Sequence, residues 1–201
     1  LCTFLGASCE LDAEDLTLDM FQNYDIFHIE GYLVQNHELI RTAVRLAKEA
    51  GLKVSIDLAS YNVVEENLAF LNEIIREYVD IVFANEEEAR AFTNKEPQDA
   101  LIHISNHCDI AVVKIGKEGS YVKSGDSSVQ VQPRTANCID TTGAGDLYAA
   151  GFLYGLACNY SLDVCGQIGS LVAANVVEVL GAKMTDDVWA TIHEEIDIII
   201  G

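Results

Sequence analysis

Four short apolar runs, separated by amphipathic stretches, constrain this chain more than any other feature. The runs are Asp25-Ile26-Phe27-His28-Ile29, Lys53-Val54-Ser55-Ile56-Asp57-Leu58, Ile81-Val82-Phe83-Ala84 and Ile110-Ala111-Val112-Val113-Lys114. Each has the length and the β-branched content of a buried strand. Between them, His37 to Ala50 reads as a helix closed by Gly51, Val63 to Tyr78 as a second helix, and Glu86 to Phe92 as an acidic third. Another helix follows Pro97. Strand–helix–strand order of this kind predicts right-handed βαβ units and a mostly parallel sheet.

The pattern then changes. Gly119 to Lys123 and Ser128 to Val131 flank Gly125-Asp126, which predicts a hairpin. Gly145 to Leu156 and Ser161 to Val179 read as two long apolar helices, the second carrying so little charge that it should be buried on most sides. Val188 to Ile200 is expected to close the chain as a helix anchored by Trp189. With no internal repeat and no linker, residues 1–201 are expected to form one α/β domain.

The charge balance narrows the partners. The chain has 12 Lys and Arg against 32 Asp and Glu, a formal net charge of −20, which argues against nucleic acid or an anionic membrane. No stretch approaches the roughly 18 apolar residues of a membrane span. A phosphate-bearing ligand would have to be attracted by backbone dipoles rather than by bulk charge. The six cysteines (Cys2, Cys9, Cys108, Cys138, Cys158 and Cys165) form no C-x-x-C pair, so reduced structural thiols in a cytoplasmic protein are expected, with Cys158 and Cys165 in the core. The chain starts at Leu1 with no signal segment, so it is expected to be a piece of something longer. His103 and His107 stand one helical turn apart beside Cys108, but no third convergent ligand is evident, and a surface helix face is expected.

The chemistry is concentrated in Asp140-Thr141-Thr142-Gly143-Ala144-Gly145-Asp146, just before an apolar helix. Small residues let backbone approach a ligand closely, and the first amides of a helix lack partners. Together with the helix dipole these make an anion site suited to a phosphoryl group. Asp146, in the first turn, could orient a hydroxyl and take its proton. The simpler alternative is that Asp140 or Thr142 caps the helix and Asp146 only complements its dipole. A dinucleotide fingerprint from Gly143 and Gly145 would need glycine where Tyr148 stands, and no Walker-type loop occurs anywhere.

Asp140 through Leu153, DTTGAGDLYAAGFL, resembles the C-terminal motif of the ribokinase/PfkB family of sugar and nucleoside kinases. Leu5-Gly6-Ala7-Ser8, Ile29-Glu30-Gly31-Tyr32-Leu33 and Val79 to Glu86 follow the order of the same family, nearest its adenosine-kinase-like branch. The resemblance implies a ribokinase-like three-layer α/β/α fold, with a mostly parallel sheet and a hairpin towards the C-terminus. It also implies ATP and Mg²⁺ as cofactors, with K⁺ in potassium-stimulated members, a sugar or nucleoside as partner, and a homodimer as one form of assembly.

Residue by residue, Asp146 resembles the catalytic base, and the amides of Gly143, Ala144, Gly145 and Asp146 resemble the anion hole for the γ-phosphoryl. Asn85 and Glu88 match the N-x-x-E motif that helps place Mg²⁺ and phosphates, partly through water. The alternative for Glu86-Glu87-Glu88 is a solvated acidic first turn. Lys114 to Gly119, including Gly116, resembles the segment lining the nucleotide, while Ser170 and Ala174 fall on the helix bordering adenine. Asp140, Thr142 and Gly181 would lie near a monovalent-cation site. The family's N-terminal Gly-rich signature, its substrate-gripping Asp and its β lid have no counterpart in the sequence, so the expected function is that of a C-terminal nucleotide-binding portion. Adenosine kinase itself, and a non-catalytic nucleotide-binding module of the same fold, stay open as alternatives.

Overall fold

All four apolar runs become strands in the computed structural model, which describes residues 6–201, the side chains of Ser8 and Cys9 excepted. What was read from Cys2, Leu5 and the side chains of Ser8 and Cys9 lies outside the described residues. The strands are β1 (Ile26–Glu30), β2 (Lys53–Asp57), β3 (Ile81–Asn85) and β4 (Ile110–Lys114). The hairpin supplies β5 (Ser120–Ser124) and β6 (Ser127–Val131). One six-stranded sheet results, in chain order β1 to β6, parallel from β1 to β4 and antiparallel from β4 to β6.

That strand order decides where the helices go. Right-handed crossovers between parallel strands laid down in sequence place every connecting helix on the same face. These helices are α1 (His37–Glu49), α2 (Tyr61–Glu66), α3 (Leu68–Glu77), α4 (Glu86–Thr93) and α5 (Pro97–Ser105). Val54, Ile56, Val82, Ala84, Ala111 and Val113 alternate along the strands to meet them in one core. The stretch expected as one helix from Val63 to Tyr78 is two. Asn67 breaks it, turning its side-chain amide back onto the Val63 carbonyl at 2.9 Å.

The opposite face is closed by the end of the chain, with α6 (Ala144–Ala157), α7 (Leu162–Val176) and α8 (Asp186–Ile200). Ile81, Phe83, Ile110, Val112, Val122 and Val131 meet Tyr148, Ala149 and Phe152 of α6 and Cys165 of α7. Phe83 and Phe152, both fully buried, pack edge to face at 5.5 Å, and each contributes about 1.5–3 kcal/mol by leaving water. Cys158, expected in the core, lies exposed past the end of α6, while Cys165 is buried. The helix predicted from Ser161 to Val179 ends at Val176, buried between α6 and α8 as its composition implied.

Glycines set how close α6 and α7 come. A Cβ on Gly151 would meet the Ile168 carbonyl at 2.9 Å, and one on Gly169 would meet the Tyr148 carbonyl at 2.8 Å. Helix-interior glycine weakens a helix by up to about 1 kcal/mol, a cost offset here by backbone-to-backbone packing. Gly151→Val should force the two helices apart and destabilise the fold by at least about 1–3 kcal/mol. Urea denaturation would detect this, and an unchanged midpoint would show that the interface has room to adjust.

Candidate active site

The last residues of the four parallel strands are Glu30, Asp57, Asn85 and Lys114, all polar, with Glu30 in register with Asp57 and Asn85 with Lys114. Ligands of open α/β sheets bind at this carboxyl end of the strands. On the face covered by α6, the apolar lining stops at β3. His28 and Glu30 of β1, with Ser55 and Asp57 of β2, take its place. His28 Nδ1 and Ser55 Oγ lie 2.8 Å apart, and the imidazole meets the edge of Phe83 at 6.2 Å.

Lys114 reaches across β3 to Asp57, with Nζ 2.6 Å from Oδ2. Both side chains are largely shielded, at 15% and 8% exposure. Burial works against the ammonium, but Asp57 and Glu88 outweigh it and hold Lys114 above the usual lysine range. Glu30 is pushed upward by burial and by the charges of Asp57 and Asp146.

Asn85 and Glu88 form a capping box at the start of α4. Asn85 Oδ1 accepts from Glu88 N at 2.9 Å, and Glu88 Oε2 accepts from Asn85 N at 2.8 Å. Glu86 and Glu87 are solvated, but Glu88 is buried at 2% exposure, so a solvated acidic turn does not describe it. Burial, reinforced by Asp57, pushes its carboxyl up to about 7.

The loop before α6 differs from a simple cap. Gly143 is the N-cap, in the left-handed region at φ 80°, and no side chain caps the helix. A Cβ there would also meet that of Ala182 at 2.7 Å. Asp140 turns away from the helix, accepting from Thr142 N at 2.9 Å, Thr142 Oγ1 at 2.7 Å and Gly181 N at 2.9 Å. Those bonds hold its carboxyl below the usual range and join all three residues of the expected cation site. Of the four expected anion-hole amides, Ala144 N already donates to the Thr141 carbonyl at 3.2 Å. Among the described residues, Gly145 N and Asp146 N have no acceptor. The Asp146 carboxylate is exposed beside them.

Past β4, Gly116 lies in an exposed turn, whereas Gly119 is buried against the Val131 carbonyl with φ 97°. Its glycine is therefore demanded by the hairpin crossing whatever it lines. Beyond β6 a depression of about 470 Å³ opens, with Gln130, Arg134, Gln167 and Ser170 among its walls. Ala174 lies one turn further along α7, half-buried. At the other end of the strands, His103 and His107 meet edge to face at 5.5 Å, and α5 ends at Ser105, before His107. Sequence reasoning missed His28, Glu30, Ser55 and Asp57 as site residues. Their polar side chains at alternate positions, all on one face of two neighbouring strands, were the available signal.

A family model for pfkB family carbohydrate kinases matches residues 1–187. The chain belongs to the PfkB family. It is 29% identical over 180 residues to an uncharacterized sugar kinase of Archaeoglobus fulgidus, covering 89% of this chain and 71% of the relative. A nucleoside kinase of Methanocaldococcus jannaschii is 34% identical over 63% of this chain and 42% of its own length. Among solved structures, a probable sugar kinase from Rhizobium etli superposes with a TM-score of 0.86 at 32% identity, and adenosine kinase from Sinorhizobium meliloti with 0.86 at 34%. They cover 93% and 92% of this chain, which spans 59% of each. A putative ribokinase II from E. coli, solved with ATP and Mg²⁺, matches at 0.83 and 18% identity over 96% of this chain and 67% of its own, a likeness of fold. The six-stranded sheet with helices on both faces is thus the ribokinase-like fold of this PfkB chain. No helix of the described residues is long and apolar enough to cross a membrane.

Glu88 gives the PfkB site a pH signature. The folded protein keeps a proton there up to about 7, whereas an unfolded glutamate loses it near 4.5. Stability from this group is fully present below the lower value and falls as pH rises to the upper one, by up to about 3 kcal/mol. Asp57, Lys114 and Glu30 are the charged groups around it. Glu88→Gln should flatten this slope in urea titrations at about pH 5 and about pH 7.5, and an undiminished slope would assign it to another group.

Proposed function

We propose that this PfkB chain is the nucleotide-binding portion of an ATP-dependent kinase that transfers the γ-phosphoryl group to a hydroxyl of a sugar or nucleoside. The observation that carries this reading is the uncapped start of α6. There, among the described residues, the amides of Gly145 and Asp146 have no acceptor, and the Asp146 carboxylate stands exposed beside them. An anion can occupy the amides while the Asp146 carboxylate, on the same first turn of α6, faces the incoming hydroxyl. The family resemblance, and relatives that are named sugar and nucleoside kinases, point the same way.

In this reading, Gly143 shapes the loop so that backbone rather than side chain meets the phosphoryl. Asp146 orients the acceptor hydroxyl and receives its proton, a role that suits phosphoryl transfer, where positioning and charge stabilisation matter most. The segment from Lys114 through Gly116 to Gly119 lines the nucleotide, and Ser170, with Ala174 behind it, borders the base from the depression beyond β6. Glu88 fits Mg²⁺ only at second remove. Both of its oxygens already accept hydrogen bonds from Asn85, so a water bridge is the available geometry. Bound Mg²⁺ would neutralise phosphate charge there. Asp140, Thr142 and Gly181, tied together around one ionised carboxylate, are where a monovalent cation would be held.

A non-catalytic nucleotide-binding module would make no use of a carboxylate at Asp146. Nucleoside and sugar kinases are similar to the chain at comparable identity, so the acceptor is proposed only as that class.

Asp146→Asn in the whole polypeptide should lower kcat by at least about 10²-fold, the range of general acid–base groups, while Mg·ATP still binds. Normal turnover by the variant would remove Asp146 from the mechanism. Gly143→Val should abolish nucleotide-dependent activity by closing the backbone approach, as coupled ADP-release assays would show.

A further inference from the structure

Lys114 is the ammonium in a ring of carboxylates, with the charges of Asp57, Glu88 and Asp146 all acting on it. An ammonium has three N–H donors. One is spent on Asp57 Oδ2, and among the described residues Nζ makes no other hydrogen bond. Its position is closely defined. A Cβ on Gly145 would stand 3.2 Å from Nζ, so the ammonium lies against the first turn of α6, where the amides of Gly145 and Asp146 have no acceptor among the described residues. Asp57 is itself fixed, because its Oδ1 accepts from Ala59 N at 3.1 Å. A charged donor with spare hydrogens and two open backbone amides therefore converge on one small volume.

We infer that Lys114 donates a hydrogen bond to the transferring phosphoryl group, with Asp57 as the positioning residue that aims it. This deepens the kinase reading above and rests on it. In the step, an acceptor oxygen forms a bond to the γ-phosphorus while the bond from that phosphorus to the β,γ-bridging oxygen breaks. The bond pair leaves on ADP, and the acceptor proton passes to Asp146. Lys114 keeps its own proton throughout and supplies positive charge to the equatorial oxygens, where the loose transition state spreads its negative charge. Gly145 is then needed for a second reason, because any side chain there would stand between the ammonium and the phosphoryl.

A contact to the γ-phosphoryl separates ATP from ADP, which a structural ion pair would not. Calorimetric titration of the protein with Mg·ATP and with Mg·ADP reads this directly. Lys114→Met should weaken Mg·ATP by about tenfold or more, as expected for a lost charge-assisted hydrogen bond, and Mg·ADP by less than about twofold. Its kcat should fall by about 10²-fold. Because Lys114→Met leaves Asp57 buried without its counter-charge, the double variant Lys114→Met/Asp57→Asn is measured beside it, with circular dichroism confirming the fold of each. Lys114→Arg should recover part of the preference for ATP.

If either folded variant keeps the wild-type ratio of ATP to ADP affinity, the inference is overturned, and the pair serves the fold alone. If wild-type protein binds neither nucleotide, the kinase reading itself fails and takes this inference with it.

Discussion

Two opposite charges removed from water, on Asp57 and Lys114, determine the rest of the site. They sit on strands separated by β3, so their contact fixes the carboxyl ends of three strands relative to one another. Removing either charge alone would leave the other buried without a partner, a loss of about 3–5 kcal/mol in typical cases. Glu88 lies within reach of the same pair and is fastened to Asn85 at the end of β3. A line of groups from β2 to β4 thus behaves as one electrostatic unit, and the start of α6 is seated against it through Gly145.

Among the described residues, one face of the sheet is only partly covered, which leaves room for the unit. The α6 and α7 core runs under β3 to β6 and gives way to polar residues on β1 and β2. In the proposed kinase, a chain with a net charge of −20 would hold phosphate here by local attraction, supplied by one ammonium and a helix start.

The framework was legible because the information that sets it is local. Short β-branched runs, glycine at helix ends and the Gly125-Asp126 turn each act within a few residues, and each named its element. The loop before α6 was legible for a different reason, since its small residues and Asp146 form an unbroken motif. What escaped depends on contacts distant in sequence. Asp57 looked like the polar end of a strand until Lys114, 57 residues on, was seen to reach it. For Glu88 the sequence left a solvated turn open beside the N-x-x-E motif until burial decided against it, and the hydrogen bond from Gly181 to Asp140 joins two loops 41 residues apart. Asn67 split a helix by a local hydrogen bond that the apolar spacing on either side concealed.

Strand order also imposes a timetable on biosynthesis. The connecting helices α1 to α5 all precede residue 144 and dock on one face, so among the described residues the apolar positions of β3 to β6 on the other face are covered by helices that come later in the chain. These six strands without α6 and α7 would carry one uncovered apolar face, suited to chaperones and to aggregation. Asp146 stands in the first turn of α6, the helix that begins to end this exposure. The carboxylate proposed as base and the cover of that face are therefore supplied by one and the same helix.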